Sequence, residues 1–346
     1  MKRSIKFIVG FIFVFIIGLF LVIRNLAETN NGKIDMYVAL NLQIDKFINP
    51  KSIEEKSIEE IRSYLNRDSN KVSKKPIQFN IIEDRNIEVN SHKIPIRIYR
   101  PESETKLPII IYSHGGSWIA GNIDTHDNVC RKISKNTEAI VISVDYSLAP
   151  ENPFPNGVID VYNTLEWVYK NAASINGDEK NIALAGDSAG GNITAAVSLM
   201  TRNKKGPNII CQVLTYPSTN IFELNTKSWS YFSNKFNISE EEMEKYISLY
   251  VPRDEDRKSP YASPLLAKDF KGLPNTLVIT AEIDPLRDEG EAYGNKLKEV
   301  GINVEMIRVT GVTHGFITMD KITPKADEAL KQTSLYLKKE FDKNKE

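Results

Sequence analysis

Residues 181–191, which read NIALAGDSAGG, place a serine between two glycines directly after an apolar run. The run at 182–185 predicts a buried strand, and the small residues after Ser188 allow a helix to begin at once. A Gly-x-Ser-x-Gly sequence at such a junction forms a sharp, strained turn that exposes the serine hydroxyl. The pattern alone is common by chance, so the argument depends on its context. That context requires a sheet whose strands alternate with helices.

The rest of the chain supplies such a sheet. Short apolar runs such as Ile109-Ile110-Ile111 indicate strands that are buried on both faces. Helical stretches near 157–173, 188–203, 286–300 and 324–340 separate several of them, which is typical of a mostly parallel sheet with helices on both faces. Eight strands that open with a hairpin around Asn90-Ser91 predict an α/β-hydrolase fold. The predicted strands are residues 78–83, 94–99, 108–113, 139–144, 181–185, 209–214, 276–281 and 303–309.

Ser188 needs a base, because an unactivated serine is a weak nucleophile. The chain has four histidines, and only His314 follows Ser188, as the order serine, acid, histidine of this fold requires. Asp284 is the first aspartate after the strand predicted at 276–281, and we expect it to fix the tautomer of His314. Glu282 is the rival acid. The alternative to a catalytic role for Asp284 is a structural one, as the N-cap of the next helix.

The sequence His114-Gly115-Gly116-Ser117-Trp118 follows the strand predicted at 108–113. Glycines at this place let backbone N–H groups turn toward a developing negative charge, and the N–H of Ala189 would join them. We therefore expect an oxyanion hole made by Gly115, Gly116, Ser117 and Ala189, with His114 as part of the loop motif. An ordinary Gly-Gly turn is the alternative.

Residues 7–23 form an uncharged apolar run after Lys2, Arg3 and Lys6. As a helix this run is roughly 26 Å long, the short end of a membrane span. No A-x-A-like cleavage site follows it, so we expect an uncleaved anchor, with secretion after cleavage as the alternative. The excess of positive charge before the run places the N-terminus in the cytoplasm and the remainder outside. The expected location is therefore the cell membrane, with a single-pass anchor and an extracytoplasmic catalytic domain.

We divide the chain into an anchor with its linker at 1–32, N-terminal cap helices at 33–75 and a catalytic domain at 76–346. A cap insertion at about 219–262 interrupts the catalytic domain and is rich in aromatic residues. Ser239 followed by Glu242 forms a capping box that starts a helix running to about residue 250. We expect both cap segments to cover a substrate pocket. Simple packing is the alternative for each.

Composition limits the possible partners. With 45 Lys+Arg against 45 Asp+Glu, the formal net charge is zero, which argues against nucleic acid as the main partner. The cysteines Cys130 and Cys211 cannot make a zinc site, and no dinucleotide, P-loop or H-E-x-x-H motif occurs. We therefore expect no cofactor, no metal and no nucleic-acid partner. Two buried thiols are favoured over one bridge.

Taken together, these segments resemble the hormone-sensitive-lipase-like family of α/β-hydrolases, which includes bacterial carboxylesterases and arylacetamide deacetylases. The resemblance implies a cofactor-free esterase for short- to medium-chain acyl esters, with Ser188, Asp284 and His314 as its triad. Three departures stand out: Ser117 replaces the usual third glycine, Ser147 replaces a usual arginine, and soluble members lack the apolar N-terminal segment. The matching segments are HGGSW at 114–118, THDNVCR at 125–131, DYSLAPENPFP at 145–155, GDSAGGN at 186–192, TYPS at 215–218, DPLRDEG at 284–290 and THGF at 313–316.

The expected function is that of a serine carboxylesterase that passes through an acyl-enzyme intermediate, with a small-molecule ester as substrate. One alternative is an amidase or deacetylase of envelope components, since the same three residues could support it. Another is a catalytically silent binding protein on the hydrolase fold. The sequence leaves the natural ester and the oligomeric state open.

Overall fold

Residues 18, 24–25, 27–29, 32–48, 53–89, 92–233 and 238–344 are described by the structure, a computed structural model. The predicted anchor at 7–23 lies outside the described residues, apart from Gly18. Within the described ranges, no helix is both long enough and apolar enough to cross a membrane.

One mixed sheet of eight strands, β3 to β10 with the bounds given at the end of this paragraph, has the spatial order β10-β9-β8-β7-β5-β6-β4-β3. Its β3–β4 and β4–β6 pairs are antiparallel, and the other neighbours are parallel, so the predicted fold class is confirmed. A short antiparallel pair, β1 and β2, precedes the sheet. The strands are β1 (Glu28–Thr29), β2 (Gly32–Lys33), β3 (Ile81–Val89), β4 (His92–Arg100), β5 (Leu107–Ser113), β6 (Ile140–Val144), β7 (Gly177–Asp187), β8 (Cys211–Thr215), β9 (Asn275–Ile283) and β10 (Val304–Thr313).

Helices cover both faces of the sheet. Side chains of α4 and α5 share one buried apolar cluster with the sheet, and side chains of α3 and α9 share another. The helices are α1 (Met36–Ile48), α2 (Ile58–Val72), α3 (Asp127–Thr137), α4 (Asn156–Asn171), α5 (Ala189–Lys204), α6 (Lys227–Phe232), α7 (Glu240–Tyr250), α8 (Arg287–Glu299) and α9 (Lys325–Lys343).

Strand β5 shows why the apolar runs are unbroken. Ile109 and Ile111 belong to the cluster beneath α4 and α5, whereas Ile110 and Tyr112 belong to the cluster beneath α3 and α9. Successive side chains of a strand point to opposite faces, so a strand covered on both sides must be apolar at every position. Strands β5 and β7 are parallel neighbours, so their carboxyl ends lie side by side at one edge of the sheet.

Helix α7 begins at the predicted capping box. The Oγ of Ser239 accepts the N–H of Glu242 at 3.0 Å, and Oε2 of Glu242 accepts the N–H of Ser239 at 2.9 Å. Each contact satisfies a backbone donor that the first helical turn leaves without an intrahelical partner. The capping-box prediction is confirmed, and the helix ends at Tyr250 as expected.

Helix α3 is absent from the helical stretches that the sequence pattern indicated. Four of its seven buried residues are polar, namely Asp127, Asn128, Ser134 and Thr137. The helix therefore has few apolar residues, and a search for apolar positions at helical spacing overlooks it. Its one cysteine, Cys130, is buried and free, as is Cys211 in β8, so the prediction of two buried thiols is confirmed.

Candidate active site

Ser188 lies at the junction of β7 and α5, in the strained turn that its flanking glycines predicted. Its φ is +56° and its ψ is −121°, a conformation that non-glycine residues rarely adopt. A Cβ at Gly186 would lie 2.4 Å from the carbonyl oxygen of Gly190, and one at Gly190 would lie 2.0 Å from that of Ser113. Glycine is therefore required on both sides, and the turn presents the serine hydroxyl at the carboxyl edge of the sheet.

A chain of hydrogen bonds joins Ser188, His314 and Asp284. Ser188 Oγ lies 2.7 Å from Nε2 of His314, and Nδ1 of His314 lies 2.8 Å from Oδ2 of Asp284. The Asp284 side chain is completely buried, and its Oδ1 accepts the N–H of Leu286 at 2.9 Å. Because a carboxylate only accepts, the proton belongs on Nδ1, and Nε2 is left to accept the proton of Ser188.

Glu282, the rival acid, lies elsewhere. Oε2 of Glu282 accepts the N–H of Gly311 at 2.8 Å. His92, a histidine that precedes Ser188 in the chain, is exposed and pairs with Asp160 at 3.1 Å. Asp284 is thus the acid that hydrogen-bonds His314, and the N-cap of α8 is Leu286.

We call residues 115–121 the oxyanion turn. The N–H groups of Gly116, Ser117 and Ala189 donate no hydrogen bond within the part of the chain that the structure describes. Gly115 departs from the prediction, because its N–H donates to Oδ1 of Asp187 at 3.0 Å and is not available to an oxyanion. The candidate oxyanion donors are therefore the other three.

The oxyanion turn is strained. Ser117 and Trp118 have φ values of +54° and +61°, so two consecutive non-glycine residues are left-handed. Each such residue costs on the order of 1–2 kcal/mol. The Trp118 indole is buried, stacks on Tyr250 with centroids 4.7 Å apart, and donates to Asn192 Oδ1 at 3.2 Å. These contacts fix Trp118, and with it the middle of the oxyanion turn.

Asp187 lies in the GDSAGGN segment, and it is a site residue whose role the motif does not predict. Its buried carboxylate accepts hydrogen bonds from Tyr112 at 2.8 Å and from Gly115, and it lies 3.1 Å from Nε2 of His126. Burial alone would raise the pKa of Asp187, but the charge of His126 and the hydrogen bonds from His126 and Tyr112 outweigh it and lower that pKa. The carboxylate therefore ties the start of the oxyanion turn to the residue before Ser188.

His114, the first residue of the loop motif, does not contact the nucleophile through a hydrogen bond. Its ring is completely buried and stacks on Tyr146 with centroids 4.3 Å apart. Burial, aided by the neighbouring His126, lowers the pKa of His114 to about 4. The ring is thus a neutral packing element behind the oxyanion turn.

A cavity of about 420 Å³ opens above Ser188 and His314. Residues from α1, α2 and α7 line its far side, among them Asp45, Leu65 and Tyr246. In the described ranges, no group of three or more His, Cys, Asp or Glu side chains is arranged to hold a metal ion. The site is a partly open pocket whose lining includes the hydroxyl of Ser188 and the imidazole of His314, with the Asp284 carboxylate buried behind the imidazole.

Known proteins share this arrangement of sequence and fold. A family profile described as alpha/beta hydrolase fold matches residues 110–318. The carboxylesterase NlhH of Mycobacterium tuberculosis is 39% identical over 240 residues, covering 68% of this chain and 75% of that protein. The arylesterase of Saccharolobus solfataricus is 39% identical over 235 residues, covering 68% of this chain and 76% of that protein. A solved hyperthermophilic esterase from the archaeon Pyrobaculum calidifontis is 36% identical, with a TM-score of 0.82 and coverage of 87% and 97%.

Proposed function

This chain belongs to the hormone-sensitive-lipase-like family of α/β-hydrolases and is a carboxylic ester hydrolase, and from that premise we propose that it acts as a serine esterase. The observation that carries the proposal is the pair of hydrogen bonds at 2.7 and 2.8 Å that links Ser188 through His314 to Asp284. Such a chain activates a hydroxyl group that would otherwise be a weak nucleophile.

The proposed reaction has two halves. Ser188 Oγ attacks the ester carbonyl while His314 takes its proton, and His314 then gives that proton to the leaving alcohol. An acyl-enzyme remains, and water activated by the same histidine hydrolyses it. Asp284 holds the imidazole in the required tautomer and stabilises the imidazolium that forms in each half.

The N–H groups of Gly116, Ser117 and Ala189 are the proposed donors to the oxyanion. Support comes from their lack of any other acceptor among the described residues and from their position beside Ser188. Removing one donor of this kind costs about 10²–10³ in kcat in other enzymes. The hole therefore supplies a major part of the proposed rate enhancement.

Short- to medium-chain acyl esters are the proposed substrates. A cavity of about 420 Å³ lies in the range of small-molecule pockets and supports this size class. We also propose that α1, α2 and the insertion at about 219–262 form a cap, because α1, α2 and α7 line the pocket above Ser188.

Hydrolysis of p-nitrophenyl acetate, compared with that of an aryl acetamide, tests the proposed function. We expect the ester to be turned over at least about 10²-fold faster, and p-nitrophenyl esters of longer acids to define the acyl limit. Faster turnover of the amide would favour the amidase alternative. Turnover of neither substrate by well-folded protein would favour a binding protein.

The activity should fall on acidification. We expect kcat/KM for p-nitrophenyl acetate to decrease as the pH falls below neutral, because a protonated His314 cannot accept the Ser188 proton. A flat profile, with chemistry rate-limiting, would contradict the general-base role.

Near-UV circular dichroism at each pH is the necessary control for that profile. His114 titrates at about 4 in the folded protein but at an ordinary histidine pKa in the unfolded chain. Between these values the unfolded chain binds more protons, so this residue lowers the free energy of unfolding as the pH falls. Only activity lost without loss of the folded signal reports on His314.

Ser117 tests whether the oxyanion turn acts through its backbone. Its φ is positive and its hydroxyl makes no hydrogen bond to the described residues, so glycine should relieve strain without removing a contact. We expect Ser117→Gly to keep kcat within a few-fold. Ser117→Pro removes the N–H and demands a negative φ, so it should lower kcat by about 10²-fold or more.

Steady-state kinetics on both Ser117 variants, with folding checked by circular dichroism, decides between backbone and side chain. If Ser117→Gly also lost about 10²-fold, the hydroxyl itself would bind the substrate or the oxyanion.

We further propose that residues 7–23 anchor the enzyme in the cell membrane with the catalytic domain outside. The charge bias of the N-terminus supports this orientation. Ala27 is completely buried against the globular body, in a cluster with Ile34, Phe232 and Ile283. At most roughly 14 Å of chain then separates residue 23 from that body, so the proposed anchor would hold the enzyme against the bilayer surface.

Protease added to intact, wall-stripped cells should degrade the catalytic domain, while a cytosolic marker survives. The positive charges before the apolar run predict this exposure. Complete protection of both proteins would reverse the proposed orientation. Recovery of the shortened enzyme in the medium would support the secreted alternative.

A further inference from the structure

Helix α2 makes hydrogen bonds to the last residues of the oxyanion turn. Nε of Arg62 donates to the carbonyl oxygen of Ile119 at 2.8 Å. One turn further along the helix, Oδ1 of Asn66 accepts the N–H of Gly121 at 2.9 Å. The two residues share one face of the helix because they are four positions apart. Both therefore act on the backbone of the same turn.

The guanidinium of Arg62 also binds the neighbouring segment. Its Nη2 donates to the carbonyl oxygen of Ala149 at 2.9 Å, and the N–H of Ala149 donates to the carbonyl oxygen of Trp118 at 3.0 Å. Glu151 accepts from both terminal nitrogens of Arg62, which aims the planar group at these carbonyls. Arg62 thus joins α2, the oxyanion turn and residues 149–151 in one network.

The strained backbone of the turn needs support after Trp118 as well as before it. Ser117 and Trp118 are both left-handed, and backbone strain of this kind persists only where the surrounding structure holds it. Asp187 holds the backbone at Gly115, and Asn192 holds the indole of Trp118. The two candidate donors of the turn lie between these two residues. Arg62 and Asn66 hold the later part of the turn, at Ile119 and Gly121.

We propose that Arg62 and Asn66 are positioning residues that keep the N–H groups of Gly116 and Ser117 aimed at the oxyanion. Helix α2 then contributes to stabilising the transition state as well as to enclosing the pocket. This inference rests on the proposed esterase function. Arg62 does not line the cavity above Ser188, whereas Asn66 does, so the variants of Arg62 are the ones that test positioning without changing the wall of the pocket.

Kinetics of Arg62→Met, which keeps the stem and removes every donor, test the proposal in the full chain. We expect kcat for p-nitrophenyl acetate to fall by about 10- to 100-fold with KM within about 3-fold, since misplaced donors weaken only the transition state. The inhibition constant of a methyl trifluoromethyl ketone, which forms an oxyanion on Ser188, should rise by the same factor. Arg62→Lys should recover part of each loss.

Arg202 provides a matched control. Its guanidinium also donates to two backbone carbonyls, those of Asp269 and Lys271, at 2.8 and 2.9 Å, at the far end of α5 from Ser188. Arg202→Met should leave both kcat and the inhibition constant within about 2-fold of the wild type. Asn66→Leu should lower kcat, whereas Asn66→Asp, which keeps the acceptor oxygen, should retain more of it.

Two results would overturn the proposal. One is a folded Arg62→Met variant with unchanged kcat and inhibition constant. The other is a loss that appears in KM alone. If Arg62→Met does not fold, the same two readouts on Arg62→Lys and Arg62→Gln decide. Absence of ester hydrolysis by the wild-type chain would instead refute the proposed function, so the two failures are distinguishable.

Discussion

Replacing Ser188 by alanine should lower kcat for p-nitrophenyl acetate by about 10⁴-fold or more and leave the fold intact. The proposed nucleophile, base and acid act as a unit, so loss of the hydroxyl removes nearly all that the unit contributes. The removed Oγ forms a hydrogen bond with Nε2 of His314 at 2.7 Å, outside the sheet. Alanine keeps the Cβ of serine, so it should fit the strained turn equally well. The measurement is steady-state kinetics with circular dichroism and thermal unfolding.

Ser174→Ala is a suitable control for the nucleophile variant. Ser174 is exposed on the short helix Ala172–Ile175, and within the described residues its Oγ donates only to the carbonyl oxygen of Asn171, at 2.8 Å. It should retain wild-type kinetics. A Ser188→Ala enzyme that keeps more than about a tenth of the activity would refute the assignment of the nucleophile.

Replacing Asp284 by asparagine should also lower kcat, by about 10⁴-fold, although the side chain has nearly the same shape. Asp284 Oδ2 accepts the Nδ1 proton of His314 at 2.8 Å, whereas an asparagine NH₂ at that place would favour the tautomer protonated on Nε2. The imidazole would then face Ser188 with a proton instead of a lone pair. The measurement is kcat and KM for p-nitrophenyl acetate near neutral pH.

Glu282→Gln is the matched control for that change. It makes the same conversion of acid to amide two residues earlier, and its amide oxygen can still accept the N–H of Gly311. We expect kcat within a few-fold of the wild type. A larger loss in Glu282→Gln than in Asp284→Asn would show that the acid is Glu282.

Much of the sheet could be predicted because its information is local. Runs such as Ile109-Ile110-Ile111 mark strands covered on both faces, and all eight predicted strands correspond to strands of the observed sheet. The first strand is displaced: it covers Ile81–Val89 instead of 78–83. As the edge strand it carries charged residues at positions 83–85, which weaken the apolar pattern.

Part of the candidate site could likewise be predicted from the sequence, and part could not. Chain order and motif context pointed to Ser188, His314 and Asp284, and the structure brings these three into one chain of hydrogen bonds. The sequence favoured Asp284 over Glu282, because Asp284 lies in the turn after the predicted strand, but it could not show which carboxylate meets His314. That choice depends on the direction in which each side chain leaves the end of β9.

The amino-acid sequence by itself determined the fold class, the strained turn at Ser188 and the short set of residues that can perform the chemistry. Only the tertiary structure decided which backbone donors face the pocket, because the N–H of Gly115 is engaged by Asp187, 72 positions away. The contact of Arg62 with Ile119 joins residues 57 positions apart. Periodicity and motifs report neighbours along the chain, whereas the direction of an N–H group and the partner of a distant side chain are set when helices and strands pack together.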